Sequence, residues 1–226
     1  MLKNLLPRVK RHGIASTAYF AGIRALNTVI DFRILRGVFV ARPDPAFLAC
    51  PKTYEGRLLT AAELRSFARD PESELSDAFL DEALARGDEC YAILDRGRLA
   101  SYGWYASGPT PIGLPGLLLH YRPGYVYMYK GFTHRDYRGQ RLHAIGMTRA
   151  LRHYLARSAG GIVSYVDSTN FDSLKSCFRM GYRVFGSVTI VKAFGCYHAV
   201  ADAGCTEFDF RVEHSGVPHA GVVFGR

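Results

Sequence analysis

A strand-like run, an Arg-Gly pair and a basic helix follow one another between Phe132 and Leu155. The first N–H groups of a helix have no partner within it, and the helix dipole places partial positive charge there. Gly139 lets a phosphate approach the backbone without a Cβ in the way, and Arg138 and Arg141 can add charge-assisted hydrogen bonds. The segment therefore predicts a pyrophosphate site, although a glycine at such a turn is equally typical of a structural connection.

A second polar segment begins at Asn170, after a predicted strand, and opens a helix that ends before Gly181 and Tyr182. Asn170 can reach a bound cofactor with its amide, or it can cap the helix. Ser173 lies three residues further on and Cys177 four residues after that. The predicted order from the first segment to the second is a helix, a strand and a second helix.

Together the two segments resemble the GNAT superfamily of N-acetyltransferases, over about residues 54–195. The family pattern V-h-P-x-y-R-G-x-G-x-G/A corresponds to residues 133–143, and the pattern N-x-x-A/S-x-x-x-Y/F-x-x-x-G-F corresponds to residues 170–182. Arg135 stands where the family often has Pro, while Arg141 and His143 replace two glycines. We therefore expect ordinary negative φ angles at these positions, or a phosphate held farther from the backbone.

The resemblance implies an acyl-CoA in a cleft between two parallel strands, one ending near Phe132 and the other at residues 162–167. Acetyl-CoA or another acyl-CoA is the implied cosubstrate. A primary amine attacks its thioester directly, and a backbone N–H stabilises the oxyanion. The implied cofactor-binding residues are Phe132, Thr133, Arg138, Gly139, Gln140, Arg141, Leu142, His143, Asn170 and Ser173.

A general base must take a proton from the attacking amine, and three side chains are candidates: Asp167, Tyr129 and His134. Each has a structural alternative, because Asp167 can cap the following helix or hydrogen-bond the turn at residues 168–170, Tyr129 can belong to a packed tyrosine face and His134 can be solvated. Cys177 stands where many family members carry a Tyr thought to protonate the leaving thiolate. It is a candidate proton donor, or a small buried hydrophobe.

The net charge of +9, from 29 Lys and Arg against 20 Asp and Glu, favours an anionic partner. Five cysteines without a C-x-x-C pair predict reduced thiols and a cytoplasmic protein. No H-x-x-x-H pair encloses a carboxylate, so no metal site is expected. The longest apolar stretch near the start, residues 13–23, is about half as long as a membrane-spanning helix.

Periodicity and turn signals order residues 54–193 as βααβββαβαβ, with a capping box at residues 60–63 and a hairpin at residues 95–98. This order predicts an α/β (α+β) fold, and the resemblance makes it a GNAT-like mixed central sheet flanked by helices. We expect residues 1–50 to form an amphipathic helical extension and residues 51–195 the catalytic domain. Residues 196–226 are expected to form a tail that covers the cleft or pairs two subunits.

Three functions remain open from the sequence. The first is acyl transfer from acyl-CoA to an amine of a small molecule or a peptide. The second keeps the fold but takes the acyl group from an acidic acyl carrier protein, which Arg135, Arg138 and Arg141 can attract. A nucleic-acid-binding module is the third, and dispersed basic residues without a recognition signature disfavour it. The basic N-terminal helix is also a candidate for peripheral membrane contact, and a homodimer is a candidate assembly.

Overall fold

The structure of the chain is a computed structural model that describes residues 5–51 and 53–216. The ends of the predicted extension and tail, residues 1–4 and 217–226, lie outside the described residues. The strands are Asp31–Val40 (β1), Tyr54–Leu58 (β2), Glu89–Asp95 (β3), Arg98–Ala106 (β4), Thr110–Pro111 (β5), Leu117–His120 (β6), Val126–Thr133 (β7), Ile162–Asp167 (β8), Arg183–Ala193 (β9), Cys196–Ala201 (β10) and Arg211–His214 (β11). The α-helices are Leu5–His12 (α1), Ile14–Leu26 (α2), Ala61–Ala68 (α3), Asp77–Ala85 (α4), Leu142–Ala156 (α5) and Phe171–Arg179 (α6).

The main sheet has eight strands in the spatial order β10-β9-β1-β8-β7-β4-β3-β2. All neighbouring pairs are antiparallel except β7 and β8, which run parallel. A second sheet, in the order β11-β6-β5, packs over one face of the first. Helices and strands thus form the mixed sheet flanked by helices that the sequence predicts, and this fold prediction is confirmed.

Several local signals form as predicted. Thr60 and Glu63 make the reciprocal bonds of a capping box at the start of α3. The hairpin between β3 and β4 turns at Arg96 and Gly97, which both have positive φ angles. Helix α3 lies on the same side of the main sheet as α4, because Leu64 of α3 and Leu80 and Ala83 of α4 are buried in one cluster with β3 and β4.

The strand β1 corrects the prediction of a helical extension through residue 50. Helices α1 and α2 form, but Asp31–Val40 is a strand inserted between β8 and β9. Ile30 and Ile34 fit a helical spacing of four residues, yet the same spacing also places side chains on one face of a strand. Burial decides between the two, because Leu35, Val38 and Val40 pack into the core on both faces of the sheet.

The predicted tail also contributes to the fold. Strand β10 pairs with β9 at the sheet edge, and β11 pairs with β6 in the second sheet. Phe208 and Phe210, between these two strands, are almost fully buried. Residues 196–214 therefore complete the layer over β1, β8 and β9, which fixes this half of the sheet.

The two parallel strands separate soon after they meet. Only two residue pairs join β7 and β8: Val126 pairs with Ile162, and Tyr127 pairs with Val163. One residue further on, the hydroxyl of Ser164 donates to the carbonyl oxygen of Met128 at 2.6 Å, in place of a backbone bond. Beyond Ser164, β8 continues its ladder with β1 alone. The C-terminal halves of β7 and β8 thus border a cleft.

Two glycine substitutions test the position of β1. A side chain at Gly37 would overlap the ring of Phe185, whereas nothing lies within 4 Å of a Cβ at Gly22, in the middle of α2. Gly37→Ala should lower the free energy of unfolding by about 1–3 kcal/mol through overpacking. Gly22→Ala should raise it by about 0.5–1 kcal/mol through helix propensity. Urea unfolding measures both, and stabilisation by Gly37→Ala would show that this segment is not a packed strand.

Candidate active site

The start of α5 presents a row of backbone N–H groups without acceptors. Among the described residues, none of the N–H groups from Gly139 to Ala144 has a hydrogen-bond acceptor, and the first helical bond runs from Ile145 to Arg141. The first turn of α5 contains no acidic residue and no side-chain cap. Six unpartnered donors at the positive end of a 15-residue helix form a site for an anion. We call residues 139–144 the amide cradle.

Two left-handed residues shape the amide cradle. Gly139, the glycine of the Arg-Gly pair, has a φ of 84°. Arg141, the N-cap of α5, has a φ of 59° and a ψ of 18°. The expectation of an ordinary negative φ is therefore wrong at Arg141, which adopts the left-handed conformation that glycine favours, and it is correct at His143, which lies within α5. An arginine in this region carries a conformational cost that a glycine avoids.

The arginines around the cradle differ in their partners. Arg135 pairs with Glu72 at 2.9 Å, so its charge is already compensated. Arg138 is exposed and its Nε donates to the carbonyl of Thr133 at 3.4 Å. Arg141 is also exposed, and neither Arg138 nor Arg141 forms an ion pair among the residues that the structure describes. These two guanidinium groups are the ones available to an anion at the cradle.

Phe132 and Thr133 are the predicted cofactor residues on β7. Their side chains are engaged within the fold, so only their backbone groups are available to a cofactor. Phe132 is buried and stacks on Tyr102, with ring centroids 5.0 Å apart. Thr133 Oγ1 lies 3.2 Å from the hydroxyl of Ser101. Both residues pair with β4 on one side and border the cleft on the other. Gln140 and Leu142 are part of the cradle, where the side chain of Gln140 accepts from Tyr54 at 2.5 Å and that of Leu142 is buried.

A β-bulge lies in β7 where the cleft opens. Trp104 pairs with Lys130 and Tyr105 with Met128, so Tyr129 has no partner on β4. A bulge re-aims side chains and breaks the ladder, and bulges are frequent next to active sites. Met128 packs on the α5 side of the sheet. Tyr129 packs on the opposite face, where it touches both the cluster under the second sheet and the cluster under α3 and α4.

Tyr129 belongs to a buried polar group that the sequence did not reveal. Its hydroxyl donates to Asp88 Oδ2 at 2.9 Å, and Arg86 donates to the same oxygen at 2.8 Å. Burial and the carboxylate of Asp88 raise the pKa of Tyr129, so the phenol is protonated at neutral pH. Tyr127 stacks between Tyr129 and Tyr165, with centroid distances of 5.9 and 6.2 Å. The predicted tyrosine face therefore exists, and Asp88 is hydrogen-bonded to it through Tyr129.

Asp167 and His134, the other two candidate bases, are engaged in local structure. Asp167 Oδ1 accepts from the N–H and the hydroxyl of Thr169, at 2.8 and 2.6 Å, which closes the turn after β8. The ring of His134 is almost completely buried, with Nε2 3.0 Å from Glu72 and Nδ1 accepting from the N–H of Asp136. Asp167 thus takes the turn-closing role that the sequence left open, whereas the alternative of a solvated His134 is wrong because Glu72 and the N–H of Asp136 hold its ring in the interior.

His143 contributes its side chain as well as its N–H. Its ring covers Gly131 on β7, where an added Cβ would lie 2.5 Å from His143 Cε1 and 2.9 Å from Met128 Cε. Among the described residues, neither ring nitrogen has a hydrogen-bond partner. Burial lowers the pKa of the imidazole, so His143 is neutral at pH 7. A neutral imidazole with free nitrogens thus lies between the amide cradle and the bulge.

The second motif supplies one cap and one thiol. Asn170 is the N-cap of α6, and its side-chain oxygen accepts from the N–H of Ser173 at 3.1 Å. Cys177, on the same helix, packs against the core cluster that includes α5. Burial raises the pKa of the Cys177 thiol to about 11. The thiol therefore remains protonated at neutral pH, which suits a proton donor and not a nucleophile.

The cysteines, the possible metal ligands and the apolar character of the helices complete the description of the site. All five cysteines are free. Within residues 5–51 and 53–216 there is no cluster of three or more side chains that could hold a metal ion. In the same part of the chain, no helix has both the length and the apolar character needed to cross a bilayer.

The pH dependence of stability tests the burial of His143. Because the folded-state pKa is lowered, the unfolded chain binds the proton more tightly, and stability is lost as the pH falls through about 6.5. Between pH 7.5 and 5.5, wild type should lose more unfolding free energy than His143→Asn, by at most about 1.4 kcal/mol per pH unit. The same substitution at the exposed His198 controls for loss of an imidazole. Parallel profiles for wild type and His143→Asn would contradict this placement.

Comparison with known proteins gives matches at the level of structure. No family model matches the chain, and no curated protein matches it. Among solved structures, 63 chains match. One is a Drosophila protein from a structural genomics programme, 17% identical, with a TM-score of 0.48 over 84% of this chain and 58% of its own.

Two further matches carry acetyltransferase names. A GCN5-related N-acetyltransferase-like protein from Streptococcus suis is 14% identical, with a TM-score of 0.48 over 78% of this chain and 67% of its own. A tandem GNAT protein from the clavulanic acid biosynthesis pathway is 14% identical, with a TM-score of 0.48 over 88% of this chain and 59% of its own. The chain thus spans about three fifths to two thirds of the length of these structures. Proteins of the GNAT family, which the two sequence motifs resemble, are among the solved structures similar to this chain.

Proposed function

We propose that this protein transfers an acyl group, with acetyl as the simplest case, from acyl-CoA to a primary amine of a small molecule or a peptide. The observation that carries the proposal is the amide cradle at the mouth of two separating parallel strands. A diphosphate would accept hydrogen bonds from the six free N–H groups, and the helix dipole would stabilise its negative charge. Arg138 and Arg141 would add charge-assisted bonds from the solvent side.

The separated strands fit the rest of such a substrate. A pantetheine arm carries amide groups, and the unpaired edges of β7 and β8 offer backbone groups that the sheet does not satisfy. The ring of His143 lines this passage and its neutral nitrogens can hydrogen-bond to the arm. At the bulge beside Tyr129, backbone N–H groups outside the ladder are placed to stabilise an oxyanion.

In the reaction, the amine nitrogen bonds to the thioester carbonyl carbon, the C–S bond breaks, and one proton passes from nitrogen to the leaving sulfur. The face opposite α5 suits the amine, since Tyr129 lies there between two hydrophobic clusters. Tyr129 can pass a proton to Asp88 as it receives one from the amine, because the two already share a hydrogen bond. Asp167 and His134 are less suited, because local bonds occupy both.

On the α5 side of the sheet, Cys177 is the candidate donor to the leaving thiolate. Its raised pKa keeps a proton available at neutral pH, and it packs with α5 in one cluster. Asn170 has its side-chain oxygen committed to the helix cap, so its contribution to the cofactor would come from the amide nitrogen. Most of the rate acceleration in this scheme comes from positioning the two substrates.

An acyl carrier protein is the alternative donor. Exposed Arg138 and Arg141 favour it, since they have no acidic partner in the described part of the chain and a carrier protein is acidic. A carrier-bound phosphopantetheine has a single phosphate, so it would use fewer of the six cradle amides than a diphosphate. The two donors therefore differ in how strongly they depend on the cradle.

A near-isosteric charge change tests the cradle. Gln140→Glu keeps an acceptor for Tyr54 but adds a negative charge at the start of α5. We expect stability to remain equal or rise slightly, by about 0.3–1 kcal/mol, because the charge favours the helix dipole. Affinity for acetyl-CoA should fall about tenfold through repulsion of the diphosphate. Calorimetric titration and thermal shift measure these effects.

Ala78→Glu is the matched control for this test, because it adds the same charge to the first turn of α4 on the opposite face. It should leave acetyl-CoA affinity unchanged. Equal losses in the two variants would assign the effect to net charge. Absence of a thermal shift with CoA, acetyl-CoA or a longer acyl-CoA, at concentrations that should stabilise by about 2.7 kcal/mol, would refute the proposed function.

Acyl transfer itself can be followed by the release of free thiol from acyl-CoA, or from an acyl-loaded carrier protein, with a panel of primary amines. Tyr129→Phe should lower kcat about 100-fold with little change in the KM for the donor, because the hydroxyl acts on the proton and not on the phosphates. Tyr125→Phe, on the preceding part of the same chain segment, should retain activity. Unchanged kcat in Tyr129→Phe would remove this residue from the proton path.

A further inference from the structure

Two segments far apart in the sequence bring exposed apolar side chains to one end of the main sheet. Val29, in the turn between α2 and β1, is 83% exposed, and Phe194, at the tip of the β9–β10 hairpin, is fully exposed. Asp31 on β1 pairs with Lys192 on β9. Val29 lies two residues before Asp31 and Phe194 two residues after Lys192, so both lie just beyond this pair. We call Val29 and Phe194, together with the partly exposed Leu26 at the end of α2, the apolar tip.

The turn that carries Val29 is held in place. The side chain of Asn27 donates to the carbonyls of Ile23 and Phe32, at 2.9 and 2.8 Å, and accepts from the N–H of Phe32 at 2.9 Å. These three bonds tie the end of α2 to the start of β1. Val29 is therefore presented to the solvent by a fixed turn, and a small adjustment of the loop would not bury it.

Phe194 occupies a position that is costly for an aromatic residue. The hairpin turns at Phe194 and Gly195, with φ angles of 50° and 82°. A two-residue turn with two positive φ angles favours Asn-Gly or Gly-Gly, and a bulky residue in this conformation is an outlier. Phe194 thus combines backbone strain with full exposure. Among the residues that the structure describes, no contact offsets either cost, and such outliers point to a function.

The charges around the apolar tip are mainly basic. Arg24, Arg33 and Lys192 are exposed beside it. Asp31 is the nearest carboxylate, and it already accepts from Tyr197 at 3.0 Å and pairs with Arg33 at 3.5 Å. Arg24 and Lys192 therefore border the apolar tip without an acidic partner among the described residues.

We propose that the apolar tip docks on an anionic lipid bilayer, with Phe194 and Val29 inserted at the boundary of headgroups and acyl chains and Arg24 and Lys192 on the lipid phosphates. Buried apolar area plus attraction to anionic lipid is the combination that gives interfacial binding. A second copy of the chain fits less well. The tip is a narrow projection of three side chains, far from the roughly 800 Å² per partner of a stable interface, and a +9 chain repels its copy.

Docking would also orient the candidate active site. Strand β1 is antiparallel to β8, so its first residues lie at the end of the sheet where β7 and β8 finish and separate. β1 is two strands away from β7, a distance of about 10 Å. The apolar tip thus lies beside the open end of the cleft. The proposal stands on the surface alone and does not require the proposed acyl transfer.

Vesicle flotation with the full chain tests the docking. The protein should float with vesicles of phosphatidylcholine mixed with phosphatidylglycerol, and less with phosphatidylcholine alone. The double variant Val29→Ser with Phe194→Ser should lower partitioning into the anionic vesicles at least about tenfold, through loss of buried apolar area. Val200→Ser is the matched control, because Val200 is 69% exposed on β10, several residues from the tip, and should bind as wild type does.

A fluorescent variant gives an independent readout. Trp104 is the only tryptophan of the chain and is fully buried, so a tryptophan introduced by Phe194→Trp would report on the tip. Its emission should shift to the blue with anionic vesicles. The proposal is overturned by unchanged flotation of the double serine variant, by no blue shift in Phe194→Trp, or by a dimer in light scattering that Phe194→Ser dissociates. Retention of duplex DNA that depends on Phe194 would overturn it as well.

Discussion

The short ladder between β7 and β8 is the constraint on which the candidate site depends. After two residue pairs the strands separate, and at that point the hydroxyl of Ser164 donates a hydrogen bond to the carbonyl oxygen of Met128. Backbone groups beyond that point must find partners outside the sheet. The separation also decides what can gather around it. The start of α5 reaches the mouth of the gap from one face, and the bulge at Tyr129 turns a polar group toward the other.

The two faces of the gap have different chemistry. On the α5 face, free N–H groups, two exposed arginines, a neutral imidazole and a protonated thiol suit an anionic, sulfur-containing substrate. On the opposite face, stacked tyrosines and the buried Asp88 suit an amine that must give up a proton. The helix leaves its first turn uncapped, and the arginine at its N-cap is held in a left-handed conformation. Both features cost stability and are the kind of local conflict that functional sites retain.

The sequence predicts those parts of the protein that local chemistry determines. The capping box of α3, the hairpin at Arg96 and Gly97 and the strand-turn-helix around Gly139 each depend on neighbouring residues, and each forms. Three features depend on distant contacts and could not be foreseen. The position of β1 between β8 and β9, the bulge at Tyr129 and the approach of Asp88 to that tyrosine arise only when strands from different parts of the chain pair. Asp88 follows a helix and precedes a strand, where an aspartate usually belongs to a loop.

The central position of β1 has a consequence for how the chain reaches its native state. Leu35 pairs with Asp167 on one side and Val188 on the other, and both partners are synthesised much later than Leu35. The two ladders of β1 cannot form before then. Such distant pairing raises contact order and slows folding, because loop-closure entropy is lost before the contacts form. Until then, an apolar strand with two open edges is exposed on the nascent chain, a state prone to aggregation. Both ladders of β1 can therefore close only after β9 has left the ribosome.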